Sequence, residues 1–229
     1  MDYITNGIIQ AVKLLLSGNE ETFSAIFITL KISTLSISAA LMMGLPAGFV
    51  LGYYNFPGKG QIRSVVDTLL ALPTVVVGII AYAFLSKRGP LGELNLLYTI
   101  PGVAIAQTVL VLPIVISLTA TAIESLDARL RLTLITLGAR GNQIILTSLK
   151  EARFAITTAA VTAYGRAISE VGISMIIGGN IKWHTRTITT AVALETGKGE
   201  FALGIALGIV LLLIAFLVNG ALIFLKKRA

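Results

Sequence analysis

Apolar residues run along the 229-residue chain in long blocks, without the period-two alternation of a half-buried strand. A hydrocarbon core about 30 Å thick needs roughly 20 such residues in helix. Five blocks reach that length: 23–53, 64–86, 101–123, 154–177 and 201–225. The pattern predicts an all-α polytopic transmembrane bundle of about five spans, folded as one domain over 1–229. Residues 1–20 hold only a short apolar stretch, Ile8 to Leu16, interrupted by Gln10 and Lys13. It is too short to span and predicts an amphipathic helix at the membrane interface. The first block would be about 46 Å long as a helix, and it carries Gly44, Gly48 and Gly52 at a spacing of four. That spacing predicts a face on which another helix packs closely, and Gly204 and Gly208 repeat it in the last block. Pro46, Pro73 and Pro113 remove backbone donors within three blocks and predict kinks.

Composition agrees and narrows the function. The chain is 55% hydrophobic and only 13% charged, too little polar surface to cover a soluble globule. Its formal net charge of +7 does not mark a nucleic-acid partner, because the basic residues fall between the apolar blocks and not on one face of a soluble module. There is no Cys, and His184 is the single histidine, which excludes disulfides, thiolate chemistry and a multi-His metal cage. Gly197 and Lys198 are followed by Gly199 and not by Ser or Thr, so no P-loop occurs, and neither G-x-S-x-G nor H-E-x-x-H is present. A membrane-embedded enzyme has no support, and the chain holds no machinery for ATP hydrolysis. An ion-coupled secondary carrier remains as an alternative class; such carriers show repeated halves and broken mid-membrane helices, and the five unlike blocks predict neither.

Orientation follows from the basic residues between blocks. One side collects Lys59, Arg63, Arg129, Arg131, Arg140, Lys150, Arg153, Lys226, Lys227 and Arg228 against Glu124, Asp127 and Glu151. The other side has as many acidic as basic residues, among them Lys87, Arg88 and Glu93. The first side is predicted to be cytoplasmic, with the N-terminus outside and the C-terminus inside.

The one sizeable segment on that side is 124–153. Asp127 is placed to cap a helix with Leu130, Leu134 and Leu137 on one face, Gly138 to end it, and a second short helix to run from about Asn142 to Leu149. Such an apolar-faced pair suits either anionic lipid or a groove on a soluble partner. Within the blocks, Arg166 and Glu170 stand at i and i+4 and predict a mutual pair facing the bundle interior. That pair either only holds the helix or lines a path for an anion. Asp67 is placed to pair with Arg63, Lys31 to snorkel to the interface, and His184 to be an ordinary loop residue.

The run LITLGARGNQIILTSLKEARFAI resembles the cytoplasmic loop by which binding-protein-dependent ABC importer permeases engage their ATPase, with Gly138 at the loop's glycine and Ala139 and Leu149 at flanking positions. The family's EAA triplet is replaced by Leu132, Thr133 and Leu134, and its final proline by Lys150. ALPTVVVGIIAYAFLSKRGPLG (71–92), GRAISEVGISMIIGGN (165–180) and TRTITTAV (185–192) are similar to the molybdate, tungstate and sulfate permeases, and GPLGELNLLYT (89–99) with Ala106 and Gln107 most resembles the tungstate type. The resemblance implies a MetI-like bundle whose 127–150 segment is the coupling helix, with Leu134, Gly138, Ala139, Arg140, Ile144 and Leu149 against the ATPase. It implies a translocation path on the face of Arg166, Glu170, Gly172 and Ser174. Two permease copies, an ATPase dimer that binds the ATP, and an extracytoplasmic oxyanion-binding protein would complete an importer in a prokaryotic inner membrane. Tungstate is the implied substrate, with molybdate or sulfate as alternatives; no cofactor is implied in this chain.

Overall fold

The computed structural model describes residues 2–228, with the backbone alone for Asp2, Ala128, Arg131 and 221–228, so Arg131, Lys226, Lys227 and Arg228 of the charge count lie outside the described side chains. Every regular element among the described residues is helical: α1 (Asp2–Leu16), α2 (Glu20–Tyr53), α3 (Lys59–Leu69), α4 (Thr74–Leu85), a 3-10 turn (Gly92–Leu94), α5 (Ile100–Glu124), α6 (Ala128–Thr136), α7 (Gly141–Glu151), α8 (Arg153–Ile168), α9 (Gly172–Gly178), α10 (Ile188–Gly197) and α11 (Phe201–Arg228). Helices α2, α5 and residues Phe201–Gly220 of α11 are each long and apolar enough to cross a membrane, and α3 with α4 makes a fourth candidate if the bent pair is one span.

The centre of the bundle is the contact of α2 with α5. A Cβ added at Gly44 would stand 2.7 Å from Val115 Cγ1, at Gly48 2.6 Å from Thr119 Cβ, and at Gly52 2.6 Å from the Ala120 carbonyl oxygen. Three missing side chains thus form a groove for the Val115, Thr119 and Ile123 ridge of α5, and the backbones approach as the glycine spacing predicts. The second pair of glycines divides. Gly204 lies against Thr196 of α10, whereas Gly208 has open space beside it.

Proline acts differently at its three positions. Helices α2 and α5 continue through Pro46 and Pro113. Pro73 instead sits at the N-cap of α4, where its missing N–H costs nothing and it turns Leu72 away from helical geometry. There α3 and α4 part at a bend of 100°. The uninterrupted helix expected over 64–86 is therefore two helices, and the one expected over 154–177 is likewise α8 and α9, separated at 169–171.

Two further contacts fix the periphery. Helix α3 is tied to α5 by a polar ladder: Lys59 to Glu124 at 3.2 Å, Arg63 Nη2 donating to Thr121 Oγ1 at 2.6 Å, Arg63 to Asp67 at 3.1 Å, and Ser117 Oγ donating to Asp67 Oδ1 at 2.7 Å. The expected Arg63–Asp67 pair is thus the middle of a longer series that sets register more than stability, since exposed pairs contribute about 1 kcal/mol or less. Helix α1 packs across the N-terminal half of α11, with Gly7 against Ile205 and Tyr3 edge-on to Phe201. Its other side exposes Ile4, Ile8, Ile9, Val12 and Leu16.

The glycine groove makes a direct prediction. Gly48→Leu forces a side chain into Thr119 and the Ile116 carbonyl and should cost about 1–3 kcal/mol as overpacking. Gly208→Ala, with nothing within 4 Å, should leave the thermal midpoint of the detergent-purified protein unchanged or higher. Equal midpoints for the two variants would refute the groove.

Candidate functional site

The two helix breaks lie side by side. A Cβ at Gly172, the first residue of α9, would be 2.9 Å from Thr74 Oγ1 and 3.3 Å from Val75, at the start of α4. Further along, a Cβ at Gly78 would meet Ile176, so α4 and α9 run parallel from adjoining starts. Breaking a helix frees backbone donors and acceptors that an apolar surrounding leaves unsatisfied. Side chains supply the partners here. One carboxylate oxygen of Glu170 accepts from the Ile173 backbone N–H at 3.0 Å, capping α9, while the other accepts from Arg166 Nη1 at 3.0 Å. The Glu170 carbonyl accepts from Thr189 Oγ1 at 2.8 Å. The carbonyl of Ala167 accepts from the Gln107 amide, whose oxygen in turn accepts from Ser36 Oγ at 2.9 Å. Helices α2, α5, α8 and the start of α10 are thereby knotted at one point.

The Arg166–Glu170 pair is asymmetric. Glu170 is sealed, with 1% of its side chain exposed, while Arg166 is 36% exposed. Its cation thus lies at an open edge, oriented by a carboxylate that cannot leave. The same edge of α8 carries the exposed Thr158, Thr162, Gly165 and Ser169, while Ala159, Ala163 and Ala167 are buried on the opposite face. Of the predicted pathway residues, Arg166 alone turns its side chain outward; Ser174 is buried and Gly172 serves the α4–α9 contact.

Beyond α9 the chain doubles back through Gly179, Asn180 and Trp183, all at positive φ. Thr185 Oγ1 donates to the Gly178 carbonyl and accepts from the Ile181 N–H at 3.2 Å. Arg186 donates to Asn180 Oδ1 at 3.1 Å and pairs with Glu21, which Lys182 also reaches at 2.7 Å. Thr187 caps α10, and the Ile188 N–H donates to Thr29 Oγ1 at 3.0 Å. The 185–187 run thus fastens this loop to α2.

The opposite end projects a tip. Asp127 caps α6 by accepting from the Arg129 N–H at 2.8 Å, and Gly138 closes it at φ +75°. The Gln143 side chain accepts from the Arg140 N–H at 2.7 Å at the start of α7. Of the predicted coupling residues, Gly138 and Arg140 are exposed, Leu134, Ala139 and Ile144 are half-buried, and Leu149 packs with Phe49, Ile123 and Ala152 in the bundle. The apolar side chains that stand free are Leu132, Ile135, Leu137 and Leu146. Sequence spacing marked Leu137 on an apolar face but not Leu132, Ile135 or Leu146, which stand off that face or on the second helix. Gln107 was also missed as a structural clamp, although an amide inside an apolar block is itself a signal of a buried partner.

Comparison with known proteins follows the same lines. Residues 44–229 match the family described as binding-protein-dependent transport system inner membrane component. The chain is 49% identical over 219 residues to the tungstate uptake system permease protein TupB of Campylobacter jejuni, covering 96% of this chain and 92% of the relative. It is 37% identical to the protein of the same name from Peptoclostridium acidaminophilum, over the whole of both chains. The molybdenum transport system permease protein ModB of Escherichia coli is 29% identical, covering 84% of this chain and 91% of the relative. Among solved structures, the fold resembles a chain of the inward-facing MetNI methionine ABC transporter with TM-score 0.73 and 16% identity, over 91% of this chain and 95% of that one. A bacterial ABC transporter importing alginate matches with TM-score 0.76 and 19% identity, over 95% of this chain and 82% of that one.

Because Glu170 caps α9 as well as pairing with Arg166, apolar replacement of both should not fully restore the fold. Arg166→Leu with Glu170→Leu removes the buried charge but strands the Ile173 N–H, at a cost of about 1 kcal/mol. Arg166→Leu with Glu170→Gln retains an acceptor and should melt at a higher temperature. If the two double variants melt together, Glu170 is only a counter-ion.

Proposed function

The chain belongs to the family of binding-protein-dependent transport system inner membrane components, and within it we propose that this multi-pass membrane protein is the permease subunit of an ATP-driven importer of tungstate. It is a transport subunit and not an enzyme. The substrate reading rests on the likeness to two tungstate uptake permeases along nearly the full chain. Molybdate and sulfate are chemically close tetrahedral dianions, and their permeases are more distant relatives.

The geometric observation that carries the reading is the projecting tip. Four uncovered apolar side chains, Leu132, Ile135, Leu137 and Leu146, on two short helices suit a groove on a soluble partner. In this reading that partner is the ATPase, two copies of which bind ATP and face two permease copies, and the tip is cytoplasmic. The N-terminus is then extracytoplasmic, as is the 178–187 loop, which faces the binding protein. The exposed edge of α8 lines the path between the permease copies, where hydroxyls and the Arg166 cation meet the anion. Glu170 offsets that cation, so the anion is held weakly enough to leave. Closure of the ATPases would move the tip and tilt α8 against α4 at the adjoining breaks.

Leu137, 77% exposed, has no packing role to lose. Leu137→Glu should therefore leave folding intact and sharply reduce both co-purification of the ATPase and tungstate uptake in proteoliposomes. Gly138→Val, at positive φ, should strain the turn by about 1–2 kcal/mol and uncouple binding-protein-stimulated ATP hydrolysis from uptake. Normal uptake by both variants would remove the tip from the coupling surface.

A further inference from the structure

A cavity of about 580 Å³ lies at the end of the bundle away from the tip, lined among others by Tyr82, Ser86, Lys87, Arg88, Asn95 and Tyr98. We propose that it is a receiving site for a hydrated tetrahedral dianion, held by Lys87 and Arg88 before the anion passes Arg166. The inference rests on the oxyanion reading above and adds a binding site to it.

Neither Lys87 nor Arg88 has an ion-pair partner among the described residues. Glu93, the one acid of the 86–99 loop, is exposed and does not line the cavity. The backbone that carries the two cations is also a stiff frame. A Cβ at Gly89 would fall 2.1 Å from the Ala83 carbonyl oxygen, and one at Gly92 2.4 Å from that of Ser86, so the loop backbone is packed directly on the end of α4. Gly89 N–H donates to Ser86 O at 2.7 Å, and Leu91 N–H to Phe84 O at 3.0 Å. Asn95 and Tyr98 adopt φ of +50° and +61°, conformations that cost free energy and persist only where the surroundings enforce them. A frame of this kind keeps the two residues side by side at the mouth of the cavity.

The cavity wall is also tied to the helix break. The Tyr98 N–H donates to the Ile177 carbonyl at 2.8 Å, and a Cβ at Gly179 would meet the Tyr98 ring. The cavity wall therefore rests on the C-terminal end of α9, whose N-terminal end is capped by Glu170 and so linked to Arg166. Seven residues, about 10 Å of helix, separate the two ends.

The size of the cavity defines the recognition. At about 30 Å³ per water, it accommodates a dianion together with much of its hydration shell, so charge is read and the identity of the central atom is not. Two exposed cations in a cleft raise local anion concentration but bind weakly, as a receiving site must if the anion is to move on. Discrimination among tungstate, molybdate and sulfate is then left to the binding protein.

The test uses the full permease–ATPase complex in nanodiscs, without binding protein, and radiolabelled tungstate at low ionic strength. The expected result is saturable retention of about one tungstate per permease chain, competed equally by molybdate and sulfate and more weakly by nitrate. Lys87→Gln with Arg88→Gln should weaken retention about ten-fold, whereas Lys87→Arg with Arg88→Lys should keep it; matched size-exclusion profiles confirm that both variants fold. Retention unaltered by the Gln pair, or no saturable retention by the wild type, would overturn the site, and the importer reading would stand if the wild type still imports tungstate. Retention without tungstate import, in a complex that imports another oxyanion, would instead keep the site and overturn the choice of substrate.

Discussion

A helix interrupted inside an apolar surrounding must find partners for the backbone groups that the interruption frees, and this chain interrupts two helices at adjoining points. Each freed group costs about 1–3 kcal/mol if left dry. Glu170, Gln107 and Thr189 meet that demand at the α8–α9 break, from three different parts of the sequence. The positions of α8, α9, α5 and α10 are therefore set by these hydrogen bonds together with apolar contact, in the clusters of Val103, Ile173 and Ile177 and of Val111, Ala163 and Ala167. The α2–α5 glycine groove provides the rigid support against which they are held.

In the proposed reading that arrangement joins stability to transport. A carboxylate that accepts from a helix N-terminus and from a guanidinium at once fixes both the start of α9 and the direction of Arg166. Buried and held by both partners, it acts as a fixed group and not as a mobile ligand. Arg166 is left partly free at an edge lined with hydroxyls, which is where the proposed path lies. Because α4 and α9 start together, a tilt of α8 imposed at the tip would reach the opposite end of the bundle through the 169–171 connection as well as through the packing of α8 on α5.

Much of the scaffold was legible because it follows from local pattern. Block length predicted the long helices α2, α5 and α11, though not the breaks within the other two blocks; a four-residue glycine spacing predicted a close helix contact on α2, though not that α5 makes it; and Asp127 with Gly138 predicted the start and stop of α6. The breaks were less legible. Pro73 was read as a kink within one helix and stands instead at the start of α4, after α3 has ended at Leu69, while α2 and α5 continue through Pro46 and Pro113. Arg166 and Glu170 were paired correctly by helical spacing, yet Glu170 lies beyond the end of α8 and its second partner, the Ile173 N–H, cannot be inferred from spacing on an unbroken helix. The exposed apolar residues of α6 and α7 were hidden for the opposite reason: periodicity marks an apolar face but does not say whether the bundle or a partner covers it.

The most direct measurement of this account is hydrogen exchange across residues 171–178 in the purified complex, comparing wild type with Glu170→Ala. If the Glu170 carboxylate holds the start of α9, amides of this segment should exchange markedly faster in the variant, while those of the α2–α5 contact stay protected. Unchanged protection of 171–178 would contradict the claim that the helix break is built around Glu170.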